Sequence, residues 1–463
     1  MFDKIWDAHR VTPLGGGYDL IYIDRHMMHE LGSDIAFAEL HDTGREVRRP
    51  DLTFATHDHV ISTAPDRHDD SVPASASYIR TLRKNASRHH IKLFDLRSDH
   101  QGIVHVVAPE RGIALPGTTF VCGDSHTCTV GGIGALSWGI GASEVRHVLA
   151  TQTLVQSRPS VLRIECTGRL APGVTAKDLS LALIGQLGAN AGAGHVIEYS
   201  GEAVAALPVE ARLTLCNLSI EMGARMGQVA PDDTTFEYLS GRDYAPQGAA
   251  WDQALTHWRT LPSDREATAA REHTFAVSNL KPQITWGTSP AHVVDIDGVI
   301  PEPHDVADAQ MRRAMREALA YMGLIPGTCI DEITVDVVFI GSCTNGRIGD
   351  LRAAAAVIKD RRVAEGVRAL VVPGSVPVKR AAEAEGLDNV FRAAGFEWRE
   401  PGCSMCVGLN DDRVPAGKRC VSTSNRNFKG RQGKGSRTHL ASPESAAAAA
   451  IAGRLVDHRC LGS

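Results

Sequence analysis

The chain has 463 residues, 43% hydrophobic and 22% charged, with a formal net charge of −5 at pH 7. That length implies roughly two to four domains, and the composition is that of an ordinary globular protein without an electrostatic footprint for nucleic acid. No apolar stretch approaches the roughly 20 residues that span a bilayer, residues 1–7 lack the runs of a signal peptide, and ten cysteines in so long a chain do not make a secreted disulfide framework. A cytoplasmic, reducing location is expected, with some cysteines kept as thiols for a metal.

Residues 18–24 read as a strand running into Asp24-Arg25-His26, and 34–40 as a short helix. A second strand, 53–56, ends on His57-Asp58-His59, and a polar helix covers about 72–90. Further strands are expected at 102–107, which carries His105, and at 118–122, which ends on Gly123-Asp124-Ser125-His126-Thr127. A helix then runs through Glu144 and Ala150. Apolar strands stop, and Asp and His residues begin where they stop. Ligands of open α/β sheets bind outside the carboxyl ends of strands. Asp58, His59, His105, Asp124, Ser125 and His126 are therefore candidates for one shared pocket.

A second block begins at Val161, and the spacing of Leu179, Leu183, Ile184 and Leu187 predicts a helix stopped at Gly188. The glycines at 185, 188, 192 and 194 show no strand–GxGxxG–helix order, so a Rossmann reading is weak. Asn217 and Glu221, four apart, share one helical face, which by spacing alone is equally a surface pair. Residues 231–300 read as loops and short elements. The third block, from about Pro301, has a helix over 310–322 and a buried β-branched strand over 333–340 that ends on Gly341-Ser342-Cys343. A helix (351–359), a strand (368–372) and another helix to about 386 follow. Residues 396–399 lead into Pro401-Gly402-Cys403-Ser404-Met405-Cys406, and 420–423 lead into a loop through Asn425, Arg426 and Arg431. The alanine run 446–450 extends a terminal helix.

Cys403 and Cys406 lie on a tight Pro-Gly loop, and Cys343 arrives from a separate strand end. Three thiolates suit an iron–sulfur cluster with one open iron. Half a zinc site, a thioredoxin-type pair and structural thiols remain alternatives by spacing. Asp124-Ser125-His126 cannot readily form a hydrolytic triad from three consecutive residues, and no GxSxG elbow exists. Acid–base or orienting work suits the Asp/His pairs better. Arg426 and Arg431 beside Asn425 suit bidentate carboxylate binding, or else belong to a solvated basic loop.

Several stretches together carry a family resemblance: Tyr22-Ile23-Asp24-Arg25-His26, Gln101-Gly102-Ile103-Val104-His105, Val121-Cys122-Gly123-Asp124-Ser125-His126-Thr127, Gly341-Ser342-Cys343-Thr344-Asn345, Pro401-Gly402-Cys403-Ser404-Met405-Cys406 and Ser424-Asn425-Arg426-Asn427-Phe428. On these the chain resembles, from end to end, the aconitase superfamily and within it the large subunits of the 3-isopropylmalate dehydratase family. The resemblance implies an α/β, aconitase-like fold: three α/β domains (1–160, 161–300 and 301–463) around a cluster-containing cleft, without the mobile fourth domain of single-chain aconitases. It implies one [4Fe-4S] cluster held by Cys343, Cys403 and Cys406, with a fourth iron open to the substrate hydroxyl and carboxylate. Asp58 and His59 would protonate the departing hydroxyl. His105, Asp124 and His126 would line the iron-bound water, Asn217 and Glu221 would lie close to the cluster, and Ser125 counts among the catalytic residues. Asn425 and Arg426 would contact cluster and substrate, and Arg431 a substrate carboxylate.

The implied reaction is isomerisation of 2-isopropylmalate to 3-isopropylmalate through 2-isopropylmaleate, in leucine biosynthesis. Hydro-lyases of homoaconitate, citramalate or a dimethylmalate are the alternative, and an RNA-binding regulator is disfavoured by the charge. The implied partner is a small subunit that supplies the mobile domain and a serine base, in a heterodimer or higher assembly. The substrate is a small dicarboxylic hydroxy acid, with neither nucleic acid nor membrane involved. Two departures stand out: Gly346 where serine is expected, and Val407-Gly408 in place of a bulkier pair.

Overall fold

Three parallel sheets built from strand–helix–strand crossovers recur along the chain in a computed structural model that describes residues 1–264 and 266–461. They fall into two compact units. One comprises Met1–Ile61, His68–Arg169 and Asn190–Ala276; the other comprises Ser62–Arg67, Leu170–Ala189 and the chain from Val277 onward. No helix among the described residues is long and apolar enough to cross a membrane.

The first unit contains two of the sheets. In one, the order is Lys92–Phe94, Thr53–Thr56, Arg25–Met28, Thr119–Cys122, Leu136–Gly139, all parallel. Strands Thr53–Thr56 and Thr119–Cys122 are buried throughout, as parallel strands covered on both faces must be. Phe54, Phe94, Phe120, Leu136 and Trp138 fill the core around them. The first strand is central and the order reverses between Arg25–Met28 and Thr119–Cys122. That reversal opens a crevice outside their carboxyl ends. The other sheet runs Met226–Val229, His195–Ser200, Ser160–Thr167, Arg271–Ala276, again parallel with its first strand inside.

Two expectations need correction here. The strand predicted over 18–24 stops at Tyr22 and joins an antiparallel ribbon with Arg10–Gly15 and Thr153–Ser157; the parallel sheet starts with a separate strand, Arg25–Met28. His26 is therefore inside a strand, and the polar residues beyond it are His29 and Glu30. The strand predicted over 102–107 is instead the start of helix Val104–Glu110. Its first N–H, from Val104, donates to Asp58 Oδ2 at 3.0 Å. A carboxylate at a helix N-terminus and the surrounding packing override the β preference of the valines.

In the second unit the sheet order is Glu397–Trp398, Arg368–Val371, Val337–Ile340, Arg419–Ser422, Arg437–Leu440. This repeats the connectivity of the first sheet strand for strand. The alanine run lies in helix Pro443–Ala452 and is buried against helix Ile348–Ile358 and strand Val337–Ile340. Small side chains let these elements approach closely, so the run is core. The three sheets follow the three sequence blocks in order. Helix Ala176–Leu187 and strands Gln283–Thr285 and Val293–Asp295 nevertheless belong to the second unit.

Gly131 lies in the 3-10 segment Ser125–Ile133, where an added Cβ would stand 1.7 Å from the carbonyl oxygen of Gly227. Gly131→Ala is expected to destabilise the fold by about 3 kcal/mol or more. Denaturant titration should show it, and Gly141→Ala, whose Cβ would meet nothing closer than 3.9 Å, should change little.

Candidate active site

Glu30, two residues past strand Arg25–Met28, holds the turn that follows strand Thr53–Thr56. Its buried carboxylate accepts the backbone N–H groups of Asp58 (3.1 Å), His59 (2.8 Å) and Val60 (2.7 Å). Charge-assisted bonds of this kind are short and strong, so the turn presents His59 in one orientation. His59 Nδ1 lies 2.5 Å from Asp58 Oδ1, and its Nε2 lies 2.9 Å from Asp124 Oδ2. Asp124 comes from the end of the neighbouring strand, Thr119–Cys122. The His29 ring stacks on that of His59 with centroids 4.1 Å apart.

Burial works against charge on His59, but the carboxylates of Asp58 and Asp124 outweigh it and raise its pKa well above the ordinary 6.5. Burial likewise opposes ionisation of Asp58 and Asp124, and the neighbouring imidazoles reverse that, holding both below 3.8. His105 and His29 respond oppositely. Burial depresses both, taking His105 to about 4. Groups driven apart in this way assign themselves as proton donor and neutral partner. Of these groups His59 is the one whose surroundings favour the protonated form.

The remaining candidates of this unit join the same network. The His126 N–H donates to Asp124 Oδ1 at 2.6 Å, and His126 Nε2 lies 2.8 Å from Glu221 Oε1. Ser125 Oγ is 3.5 Å from His126 Nδ1. His105 Nε2 is 3.3 Å from Thr127 Oγ1, which donates to Asp124 O. Asn217 and Glu221 do not share a helical face. Helix Val209–Asn217 ends at Asn217, and Glu221 sits in the 3-10 turn Leu218–Met222. Asn217, fully buried, donates to Thr129 Oγ1 at 2.7 Å instead. The surface-pair alternative is excluded by burial.

In the second unit Cys343 follows strand Val337–Ile340, and Cys403 and Cys406 flank the turn after strand Glu397–Trp398. All three are buried and outside any disulfide. The Ser342 hydroxyl reaches Cys406 Sγ at 3.3 Å and Cys343 Sγ at 3.9 Å. Asn425 spans the same two sulfurs: Nδ2 donates to Cys343 Sγ and Oδ1 accepts from Cys406 Sγ, each at 3.5 Å. The Cys406 N–H donates to Cys403 O at 3.0 Å. Three buried thiols from two strand ends, two of them (Cys343 and Cys406) bridged by hydroxyl and amide, fit a three-cysteine iron–sulfur cluster. They suit a closed four-ligand zinc site less well.

Both loops are held under strain. Ser342 (φ +77°) and Ser404 (φ +51°) are non-glycine residues in the left-handed region, a conformation that persists only where surroundings enforce it. Buried Arg347 donates to Cys343 O (2.8 Å) and Thr344 O (2.9 Å). Buried Asp412 accepts from Ser404 Oγ at 2.7 Å, from Arg399 Nη2 at 2.6 Å and from Thr63 Oγ1. The departures at 346 and 408 are steric. A Cβ at Gly346 would stand 2.8 Å from Ser342 O, and one at Gly408, whose φ is +64°, 3.3 Å from Arg431 O. Arg426 follows Asn425 directly, and the Arg431 guanidinium lies 5.4 Å from the Phe428 ring centroid. Glu30, His29, Arg347 and Asp412 escaped sequence reasoning because each is a lone residue outside any motif of recognisable spacing, and Ser342 stands out in the sequence only as the neighbour of Cys343.

His59 has a raised folded pKa, so its stabilisation is complete below pH about 6.5 and is lost as pH rises through the folded value. Asp124, depressed, contributes above pH about 3.8, and that is lost as pH falls through its folded value. In Asp58→Asn the partner carboxylate is gone, and the His59 pKa is expected to fall. Imidazole titration by NMR measures this directly, and the alkaline decline in unfolding free energy should shift to lower pH.

The family model for the Aconitase family (aconitate hydratase) matches residues 3–453. The chain is 56% identical over 458 residues to "3-isopropylmalate dehydratase large subunit 1" of Bradyrhizobium diazoefficiens, covering 99% of this chain and 96% of that protein. It is 56% identical over 464 residues to "3-isopropylmalate dehydratase large subunit" of Roseiflexus castenholzii, covering 99% and 98%. The crystal structure of Thermococcus kodakaraensis aconitase X (holo-form) aligns at a TM-score of 0.45 and 12% identity over 88% of this chain and 84% of that one, a likeness too slight to bear on the fold. The chain belongs to the aconitase family.

Proposed function

We propose that this chain is the large, cluster-bearing subunit of a 3-isopropylmalate dehydratase, a cytoplasmic hydro-lyase of leucine biosynthesis. It interconverts 2-isopropylmalate and 3-isopropylmalate through 2-isopropylmaleate, removing water and adding it back with no net redox change. The observation that carries the chemistry is the placement of the two His59 ring nitrogens 2.5 Å from Asp58 and 2.9 Å from Asp124, carboxylates that raise its pKa. The choice of substrate rests on the two dehydratase large subunits at 56% identity.

Hydroxide is a poor leaving group, and the proton that makes it leave as water comes from His59 Nε2. Asp58 keeps the Nδ1 proton in place and so fixes the tautomer. As His59 gives up its charge, its hold on Asp124 weakens; when water is added back its oxygen bonds to carbon and the proton it releases returns to His59 Nε2. Glu221 and Asp124 orient His126, and neutral His105 offers a hydrogen bond without a competing charge. Ser125 and Asn217 complete this polar wall. Asn425, Arg426 and Arg431 serve the substrate carboxylates, the two arginines as forked donors. When held by Cys343, Cys403 and Cys406, a [4Fe-4S] cluster supplies Lewis acidity toward the substrate hydroxyl and carboxylate. A small subunit completes the enzyme with the mobile domain and the serine base that removes the carbon-bound proton.

Two measurements test this. Cys403→Ser, purified without oxygen, is expected to lose iron, sulfide and turnover together; an iron-free variant still active with its partner would refute the cluster role. Mixed with its small subunit, the wild-type chain should turn over 2-isopropylmalate with the highest kcat/KM of a panel including homoaconitate, citramalate and dimethylmalate. The large chain by itself should show none.

A further inference from the structure

Lys177 is a buried cation that the proposed acid–base chemistry does not use. It sits in the first turn of helix Ala176–Leu187, with 1% of its surface exposed. Its Nζ donates to Thr423 O at 3.0 Å and to Ser424 O, the two carbonyls just before Asn425. The carboxylates nearest in sequence or space are already engaged. Asp178 accepts from Thr175 and from the Gln283 N–H, and Asp350 from the Arg347 N–H and the Asn345 amide. Burial pushes the Lys177 pKa down to about 8, and the nearby Cys406, Cys343, Asp350 and Asp178 act against that. A buried ammonium is costly unless compensated, and carbonyl dipoles alone are partial compensation.

This inference rests on the reading of Cys343, Cys403 and Cys406 as cluster ligands. Three thiolates around a [4Fe-4S] core leave a net negative charge in the buried cysteine site. We propose that Lys177 is the countercharge of that loaded site and a positioning residue for it. Its ammonium balances the charge on the thiolates, and its two carbonyl bonds hold Asn425 across the sulfurs of Cys343 and Cys406. Lysine does this through its field and through the loop, without ligating iron.

The test loads wild type, Lys177→Gln, Lys177→Met and Lys177→Arg anaerobically with iron and sulfide. EPR-monitored redox titration then reads the cluster's midpoint potential, and absorbance reads its lifetime in air. The Gln and Met variants should shift to a more negative potential, because the reduced cluster loses a stabilising cation, and should lose the cluster several-fold faster. Lys177→Arg should keep a potential near that of wild type. Thermal melting of the apo and loaded chains should show a smaller gain on loading in the Gln and Met variants. Loaded variants with unchanged potential and lifetime overturn the proposal. Apo variants that cannot fold also overturn it, since the lysine would then serve the scaffold alone. A wild-type chain that takes up no iron and sulfide overturns the cluster reading itself, a result distinguishable from the other two.

Discussion

Buried charge, and the way each charge is answered, governs this protein's chemistry. Glu30 has no water to solvate it and is satisfied by three consecutive N–H groups of the 58–60 turn. That one interaction fixes the backbone from which Asp58 and His59 project. Asp58 and Asp124 then make a charged imidazole tolerable where burial would otherwise deprotonate it. Each buried ion is the condition for the next. The raised pKa of His59 is thus a property of the network rather than of histidine.

Topology decides where these networks can form. In both five-stranded sheets the first strand is central, and the fourth strand returns to its other side. The loops leaving those two neighbours diverge around a crevice at the carboxyl ends. In the first unit they deliver Glu30 and Asp124; in the second they deliver Cys343 and Asn425. Unrelated chemistry, carboxylate–imidazole in one and thiol–amide in the other, occupies the same place in the same connectivity. The helix N-terminus at Val104 adds a backbone donor to Asp58, which no strand at that place could aim in the same direction.

The cysteine loops show the opposite side of preorganisation. Two serines in left-handed backbone, each adjacent to a thiol, are conformations the isolated chain avoids. Arg347 and Asp412 hold them there by hydrogen bonds to Cys343 O and Ser404 Oγ. Gly346 accommodates a backbone oxygen closer than a side chain tolerates, and Gly408 takes a φ of +64° that side chains rarely adopt. These contacts hold the two loops, and with them the thiols, in one arrangement.

The sequence by itself determined the α/β class, the strands at 53–56 and around 118–122, 368–372 and 420–423, the second half (337–340) of the strand expected over 333–340, and the ligand-type residues at their ends. These follow from local rules: a β-branched run is apolar for as long as it is buried, and polarity resumes where it emerges. Motif spacing also marked Cys343, Cys403 and Cys406 as a group. Only tertiary structure decided that residues 104–107 coil into a helix, that Asn217 and Glu221 turn to different partners, and that the alanine run is core. It also decided that Glu30, Arg347, Asp412 and Lys177 matter. Their importance comes from what surrounds them, residues as distant as Lys177 and Ser424, and such pairings leave no periodic trace along the chain.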